Sequence, residues 1–337
     1  CSSDLLTLKD LYFQKQIMNN LFHKILSDPL LLEKPPVLID VGASGELHSA
    51  WKLIAKYSIC VAFDADTRDF QVSEQNDRGY KKLYMINRIV GTESIDDMEF
   101  YLTRSPYCSS ALEPDSESLK PWVFNNLFIK TKTVKMPAVT LSDTLAQCGL
   151  NYIDWYKTDS QGTDLRLFDS LSDVIKRNTL SAEFEPGIID AYKHEDKLHN
   201  LMSFMENYPF WVTSMDIKGS QRITTEDLEH LGTLRKKFVS YLLKASPGWC
   251  EIVYLNDFDE ICSERDLLLG WAIASVKKEF GLALRIAKKG MSETENPLFQ
   301  QMLDSTKNSL NTSSSYFYFS IKIFRTLTRR LIRKIQA

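Results

Sequence analysis

The stretch Val37-Leu38-Ile39-Asp40-Val41-Gly42-Ala43-Ser44-Gly45 decides the fold of this chain. Its first half is a short apolar run ended by a glycine, the pattern of a buried strand that stops at a turn. Glycines at such a turn let the backbone bend sharply and come close to a ligand. Residues 46–57 read as a helix, so the loop feeds a helix N-terminus whose amides can hold a polar cofactor group. Ile59-Cys60-Val61-Ala62-Phe63-Asp64 is a second apolar strand. Asp64 falls about twenty residues beyond the loop, where a carboxylate can accept hydrogen bonds from both hydroxyls of a ribose.

Upstream, residues 5–33 carry a helical pattern that stops before Pro35-Pro36. Downstream, a helical stretch over 67–78 and a third strand over 83–90 continue the alternation. Strands alternating with helices imply a Rossmann-like α/β fold, a mostly parallel sheet with helices on both faces. Residues 98–103, 131–139, 152–159, 179–185, 210–217 and 251–255 read as further strands. Residues 141–148, 163–171, 196–207 and 226–237 read as helices, and 263–287 as one long helical stretch. The predicted organisation is a helical segment over 1–35, the α/β domain over 36–258 and a helical region over 259–289. A polar linker over 290–315 and a basic amphipathic helix over 316–337 complete it.

The loop chemistry separates the possible cofactors. A dinucleotide fingerprint needs Gly-x-Gly-x-x-Gly with room for a pyrophosphate. Here Ser44 and Leu47 break that pattern, and the loop holds no lysine or arginine for a phosphate. A cofactor with ribose and adenine but no phosphate fits better, which points to S-adenosylmethionine. Asp40, Gly42, Ala43, Ser44, Gly45 and Asp64 are the candidate cofactor-binding residues. Two other readings stay open: a nicotinamide-dependent oxidoreductase or epimerase, and a non-catalytic cofactor-binding module of a polysaccharide-assembly complex.

Four segments together resemble the FkbM-type methyltransferases. They are Leu38 to Gly45, then Ala62-Phe63-Asp64, then Cys108-Ser109-Ser110-Ala111-Leu112-Glu113-Pro114, and last Lys157-Thr158-Asp159-Ser160-Gln161-Gly162-Thr163-Asp164. Asp64 stands where the family usually has Glu, Ala65 where it has Pro, and Asp164 where the last segment ends in Glu. The likeness covers roughly 36–186 and does not extend beyond about 220. It implies a class I methyltransferase sheet with a late antiparallel strand, and methyl transfer from S-adenosylmethionine to oxygen. A sugar hydroxyl of a bacterial glycan or related metabolite is the acceptor class it implies.

Methyl transfer to a hydroxyl needs the acceptor proton removed as the bond forms, which a carboxylate within hydrogen-bond reach can do. Asp159, at the end of its strand, is the candidate base, with Glu183 on the next strand as the alternative. Asp159 also suits a purely structural role capping the following helix. Lys157 reads as an ion-pair partner near the acceptor, and Tyr107, Ser109 and Ser110 as an acceptor wall offering hydroxyls and a ring to a sugar. His48 reads as structural; His194 and His199 are five residues apart and do not form a metal pair. No metal is expected.

The net charge of −3 brings no global attraction to nucleic acid. The six cysteines stand singly, as expected of reduced thiols in a cytoplasmic protein. Cys1-Ser2-Ser3 resembles the mature end of a bacterial lipoprotein, but the expectation here is a fragment start. Residues 316–337 hold six basic and no acidic residues, with Ile321, Phe324, Leu327, Leu331 and Ile335 on one face. Such a helix can lie on an anionic membrane or pack on its own domain. The first reading places the protein at the inner face of the membrane and suits a lipid-linked glycan acceptor.

Overall fold

A computed structural model describes residues 18–43, 48–66, 79–224, 226–229, 231–232, 235, 238, 243–261 and 263–311. The chain divides into two units, one of residues 35–260 and one that joins 1–34 to 261–337.

That unit is built on a seven-stranded sheet in the order β3-β2-β1-β7-β8-β10-β9. The strands are β1 (Val37–Val41), β2 (Ile59–Phe63), β3 (Lys82–Ile86), β7 (Trp155–Thr158), β8 (Ser181–Phe184), β9 (Phe210–Ser220) and β10 (Ser246–Asn256). The neighbours from β3 to β8 pair in parallel, whereas β10 runs antiparallel to both β8 and β9. A late antiparallel strand is therefore present. β1 is buried along its whole length, and β2 everywhere except its first residue. That is why these strands read as continuous apolar runs, as parallel strands covered on both faces do.

A second sheet has the order β4-β6-β5, from β4 (Ile89–Val90), β5 (Ile95–Thr103) and β6 (Lys130–Val139). The stretch expected as one strand over 83–90 is thus split: β3 closes the large sheet and β4 opens the small one. Asn87 and Arg88 separate the two. Ile89, Phe100 and Ala138 form the small sheet's own buried cluster.

Helices fall within the stretches read as helical at 141–148, 163–171 and 196–207, and a further one at 173–178 was not expected. Thr140 caps helix α3 (Leu141–Gln147), accepting from Asp143 N, and Ser172 caps α5 (Asp173–Asn178) in the same way through Ile175 N. Between them lies α4 (Asp164–Asp169), and α6 (Leu198–Met205) follows. Phe168, Tyr156 and Phe184 pack in mutual ring contact within the core of the large sheet. Ser116–Leu119 forms a short helix, α2.

Other expectations are corrected. The helix expected over 46–57 is, among the described residues, two 3-10 turns at Ser49–Trp51 and Ala55–Tyr57. Trp51 is fully buried there against Trp155 and Tyr80, so ring packing rather than a helical repeat shapes the segment. The helix expected over 67–78 lies outside the described residues.

In the other unit, Pro29–Glu33 forms α1, with Pro29 in the first turn and Asp28 capping through Leu30 N. The long helical stretch is broken into α7 (Glu264–Val276) and α8 (Phe280–Glu293), with Lys278 at φ 62° between them. The linker expected over 290–315 is helical at 298–311. Phe299, Met302, Leu303 and Thr306 recur on one buried face, a helical period hidden in a polar composition. Trp271 donates its indole N–H to Thr306 Oγ1 at 2.9 Å, and Gly290 leaves the space that the Phe299 ring fills. Among the described residues no helix is long and apolar enough to cross a membrane. The basic tail over 316–337 lies outside the described residues.

Candidate functional site

The chain leaves β1 towards β2 and β3 on one side and returns through β7 on the other. The sheet order therefore reverses between β1 and β7. Open α/β sheets bind ligands at such a switch point, outside the carboxyl ends of the strands. A cavity of about 510 Å³ lies there, bordered by Asp40 of β1, Gly42 just after it, Asp64 after β2 and Asp159 after β7. Arg88, Phe100, Tyr107 and Ser109 close it from the small-sheet side. The volume lies within the usual range for small-molecule sites.

Gly42 shapes the floor. Its φ is +79°, and its N–H and that of Ala43 both donate to Phe63 O at 3.0 Å. A Cβ at Gly42 would run into the carbonyl oxygen of Asp159. Only glycine permits both the turn and the close approach of the two strand ends. Ala43 is buried and does not border the cavity; Ser44 and Gly45 lie outside the described residues. Asp64 borders the cavity and accepts from Asp66 N at 2.9 Å, which fixes its carboxylate in a local turn.

A row of charge crosses the sheet at this floor, and Asp40 and Lys157 of the row border the cavity. Asp40, Lys157 and Glu183 are in register on three adjacent strands. Lys157 Nζ donates to Asp40 Oδ1 at 2.7 Å. Burial pulls the Lys157 ammonium down, but the charges of Asp40 and Asp159 more than offset this and its pKa is raised. Lys157 is therefore a held cation and not a base. Glu183 does not border the cavity; its Oε1 accepts from the Trp155 indole N–H at 2.6 Å.

Asp159 sits at the head of a strained turn. Gln161 has φ 58° and Gly162 φ 104°. For a non-glycine residue that conformation is uncommon and clusters at functional sites. It turns the Gln161 amide back, so Nε2 donates to Asp159 Oδ1 at 2.5 Å. Tyr192 OH lies 2.8 Å from Gln161 Oε1 and 2.9 Å from Cys108 O, and shares its one proton between them. Ser110 does not border the cavity; its hydroxyl donates to Gln161 O at 2.7 Å and braces the turn. Ser109 does border it, accepting from Thr103 N at 3.2 Å, and Tyr107 stands largely exposed at the rim.

The carboxyl groups here are far from their ordinary behaviour. Burial, opposed by Lys157 and by hydrogen bonds from Gln161 and Glu185, raises Asp159. Burial and then the charge of Asp159 push Glu185 up to about 9. Burial and the same charge push Asp164, at the start of α4, up to about 7. Such shifts mark functional sites more often than ordinary surface. Glu185 escaped the sequence reading, although an acid just before Pro186 at a strand end was a usable signal. Tyr192 left no signal, because its part depends on a distant turn. His194 and His199 do not border the cavity, and among the described residues no cluster could hold a metal ion.

The chain matches no family model and no curated protein.

Proposed function

We propose that this chain is an S-adenosylmethionine-dependent methyltransferase of the FkbM type that methylates a sugar hydroxyl in a glycan or related metabolite. One observation carries the reading. Gly42, Asp64 and Asp159, picked out by sequence pattern at three separate places, border one cavity at the switch point of the sheet. The late antiparallel strand β10 supports it as well.

The donor set suits the cofactor. Four carboxylates, from Asp40, Asp64, Asp66 and Asp159, border the cavity. Lys52, Arg88 and Lys157 border it too, with Lys157 paired to Asp40, and the carboxylates offer acceptors for ribose hydroxyls. When bound, S-adenosylmethionine supplies an electrophilic methyl group. Asp64 would accept from the ribose hydroxyls, and Gly42 would let the chain lie close to the cofactor. Asp159 would receive the acceptor proton as the new O–C bond forms, in a pocket whose nearest cation, Lys157, stays fixed on Asp40. Tyr107 and Ser109 would face the acceptor. A lipid-linked glycan fits the basic tail over 316–337.

The test is calorimetric titration of the full chain with S-adenosylmethionine, S-adenosylhomocysteine and NAD, followed by transfer of labelled methyl to glycan acceptors. Binding of the first two and labelling of the acceptor is the expected result. Binding of NAD alone would favour the oxidoreductase, and cofactor binding without transfer would favour a non-catalytic module.

A further inference from the structure

β7 and β8 are parallel neighbours with Lys157 opposite Glu183, so Asp159 and Glu185 each lie two residues beyond that pair. Both therefore emerge at the same carboxyl edge, close enough for each to bear on the ionisation of the other. Two carboxyl groups can share a hydrogen bond only if one of them carries a proton. Glu185 is fixed from behind: it precedes Pro186, whose carbonyl accepts from Cys250 N of β10 at 3.1 Å. Asp159 is fixed from the other side by the Gln161 amide at 2.5 Å, itself held by Tyr192. Only Asp159 of the two borders the cavity.

We propose that Asp159 and Glu185 hold a single proton between them, with Glu185 as a positioning residue that donates it and leaves Asp159 as the ionised carboxylate facing the cavity. The hydrogen bonds of the pair agree with this assignment. Gln161 Nε2 donates to Asp159 Oδ1, a bond that favours the ionised form of Asp159 over that of Glu185. The surrounding groups agree too. Lys157 of β7 faces Asp159 with its positive charge, Glu251 faces Glu185 with negative charge, and Asp164 bears on both. Asp40, Cys108, Tyr192 and Cys250 are further titratable groups around the pair, and Asp40 is paired with Lys157. During transfer the acceptor O–H proton would pass to Asp159, the pair would then hold two protons, and one would leave to solvent with the product. The pair stands without the methyltransferase reading; its role in acceptor deprotonation rests on that reading.

The test is a carbon-detected NMR titration of the full chain, labelled at its Asp and Glu carboxyl carbons, without cofactor. The pair should lose its second proton near pH 9, the range to which Glu185 is displaced. That step should vanish in Glu185→Gln and move to lower pH in Asp159→Asn. Wild-type carboxyls that all titrate below about pH 6 would overturn the pair, given the ordinary range of Asp and Glu. So would an alkaline step that persists in Glu185→Gln. For the positioning role, Glu185→Gln keeps a neutral donor and should retain turnover at pH 7 while losing the alkaline limb of the pH profile. Glu185→Ala should lose turnover about 10-fold or more, the lower end of general-base effects. Unchanged rates and pH profiles in both variants would overturn the role. A wild type that shows the shared proton but transfers no methyl group would overturn the methyltransferase reading and leave the pair in place.

Discussion

Gly42 and Asp159 meet so closely at the ends of β1 and β7 that a methyl group on Gly42 would lie only 2.2 Å from the Asp159 carbonyl oxygen. The glycine loop and the candidate base are thus parts of one backbone junction, tied by Asp159 N donating to Val41 O at 2.9 Å. Gly42→Ala faces two costs: a left-handed φ, roughly 1–2 kcal/mol, and displacement of one strand end. We expect lowered thermal stability together with weakened cofactor binding, measured by calorimetry on the same sample. Wild-type binding in the alanine variant would show that the junction is not part of the site.

The Asp40–Lys157 pair lies largely out of solvent. Removing one member of a buried pair typically costs about 3–5 kcal/mol, because the other charge is left uncompensated. Lys157→Met should fall near the lower end of that range, since the Lys157 side chain keeps 20% of its exposure. Denaturant unfolding measures this directly. A double variant with Asp40→Asn should recover part of the loss, because no unpaired charge then remains.

Asp64 is expected to hold the ribose. Two hydrogen bonds lost in Asp64→Ala amount to roughly 1–3 kcal/mol of binding at the usual net value per bond. The same change removes the turn that holds Asp66 N, so the circular dichroism spectrum should be recorded beside the affinity. A folded variant with unchanged affinity would take Asp64 out of the site.

Asp159 and Glu183 should separate cleanly. Asp159→Asn should lower turnover by about 10²–10⁴-fold while cofactor affinity is kept, as for loss of a general base. Glu183→Gln should keep turnover within a few-fold, since an amide oxygen still accepts from the Trp155 indole. Measuring kcat and KM for both variants on one acceptor decides the assignment. Near wild-type turnover in Asp159→Asn would return that residue to a structural role.

Asp164 gives a prediction in pH. Burial and the charge of Asp159 raise its folded-state pKa to about 7, while an unfolded Asp titrates near its ordinary value of about 3.9. Between these values the native state holds a proton that the unfolded chain has lost. The contribution of this group to stability is therefore present at low pH and declines as pH rises, by at most about 1.4 kcal/mol per pH unit, levelling off above pH 7. Asp164→Asn removes the titrating proton and still offers an oxygen to Ser160 N. Its stability relative to wild type should rise from pH 4 to pH 7, read from urea unfolding at several pH values. A constant difference across that window would mean that Asp164 is ionised in the folded protein.

β1 and β2 were legible because both faces of each are covered, so nearly every residue is apolar, and the glycine and the acid at their ends stand out. The helices over 141–147 and 198–205 were legible for a local reason: their residues repeat with a helical period. The 3-10 turns over 49–57 and the helix over 298–311 were not. In the first, rings from β7 and from Tyr80 override the local periodicity around Trp51. In the second, the apolar face is only one residue in three or four and polar side chains dominate the composition.

The site divides along the same line. Sequence alone determined that Gly42, Asp64 and Asp159 each end a strand, because that depends on short-range pattern. Tertiary structure alone decided that the three border one cavity and that Glu183 turns to Trp155. It also brought Glu185, a residue that pattern did not single out, against Asp159. Strand order and register govern all three, and they are set by packing between segments far apart in the chain. Burial acts at the same level: a carboxyl group titrates according to the water and charge that the folded chain leaves around it.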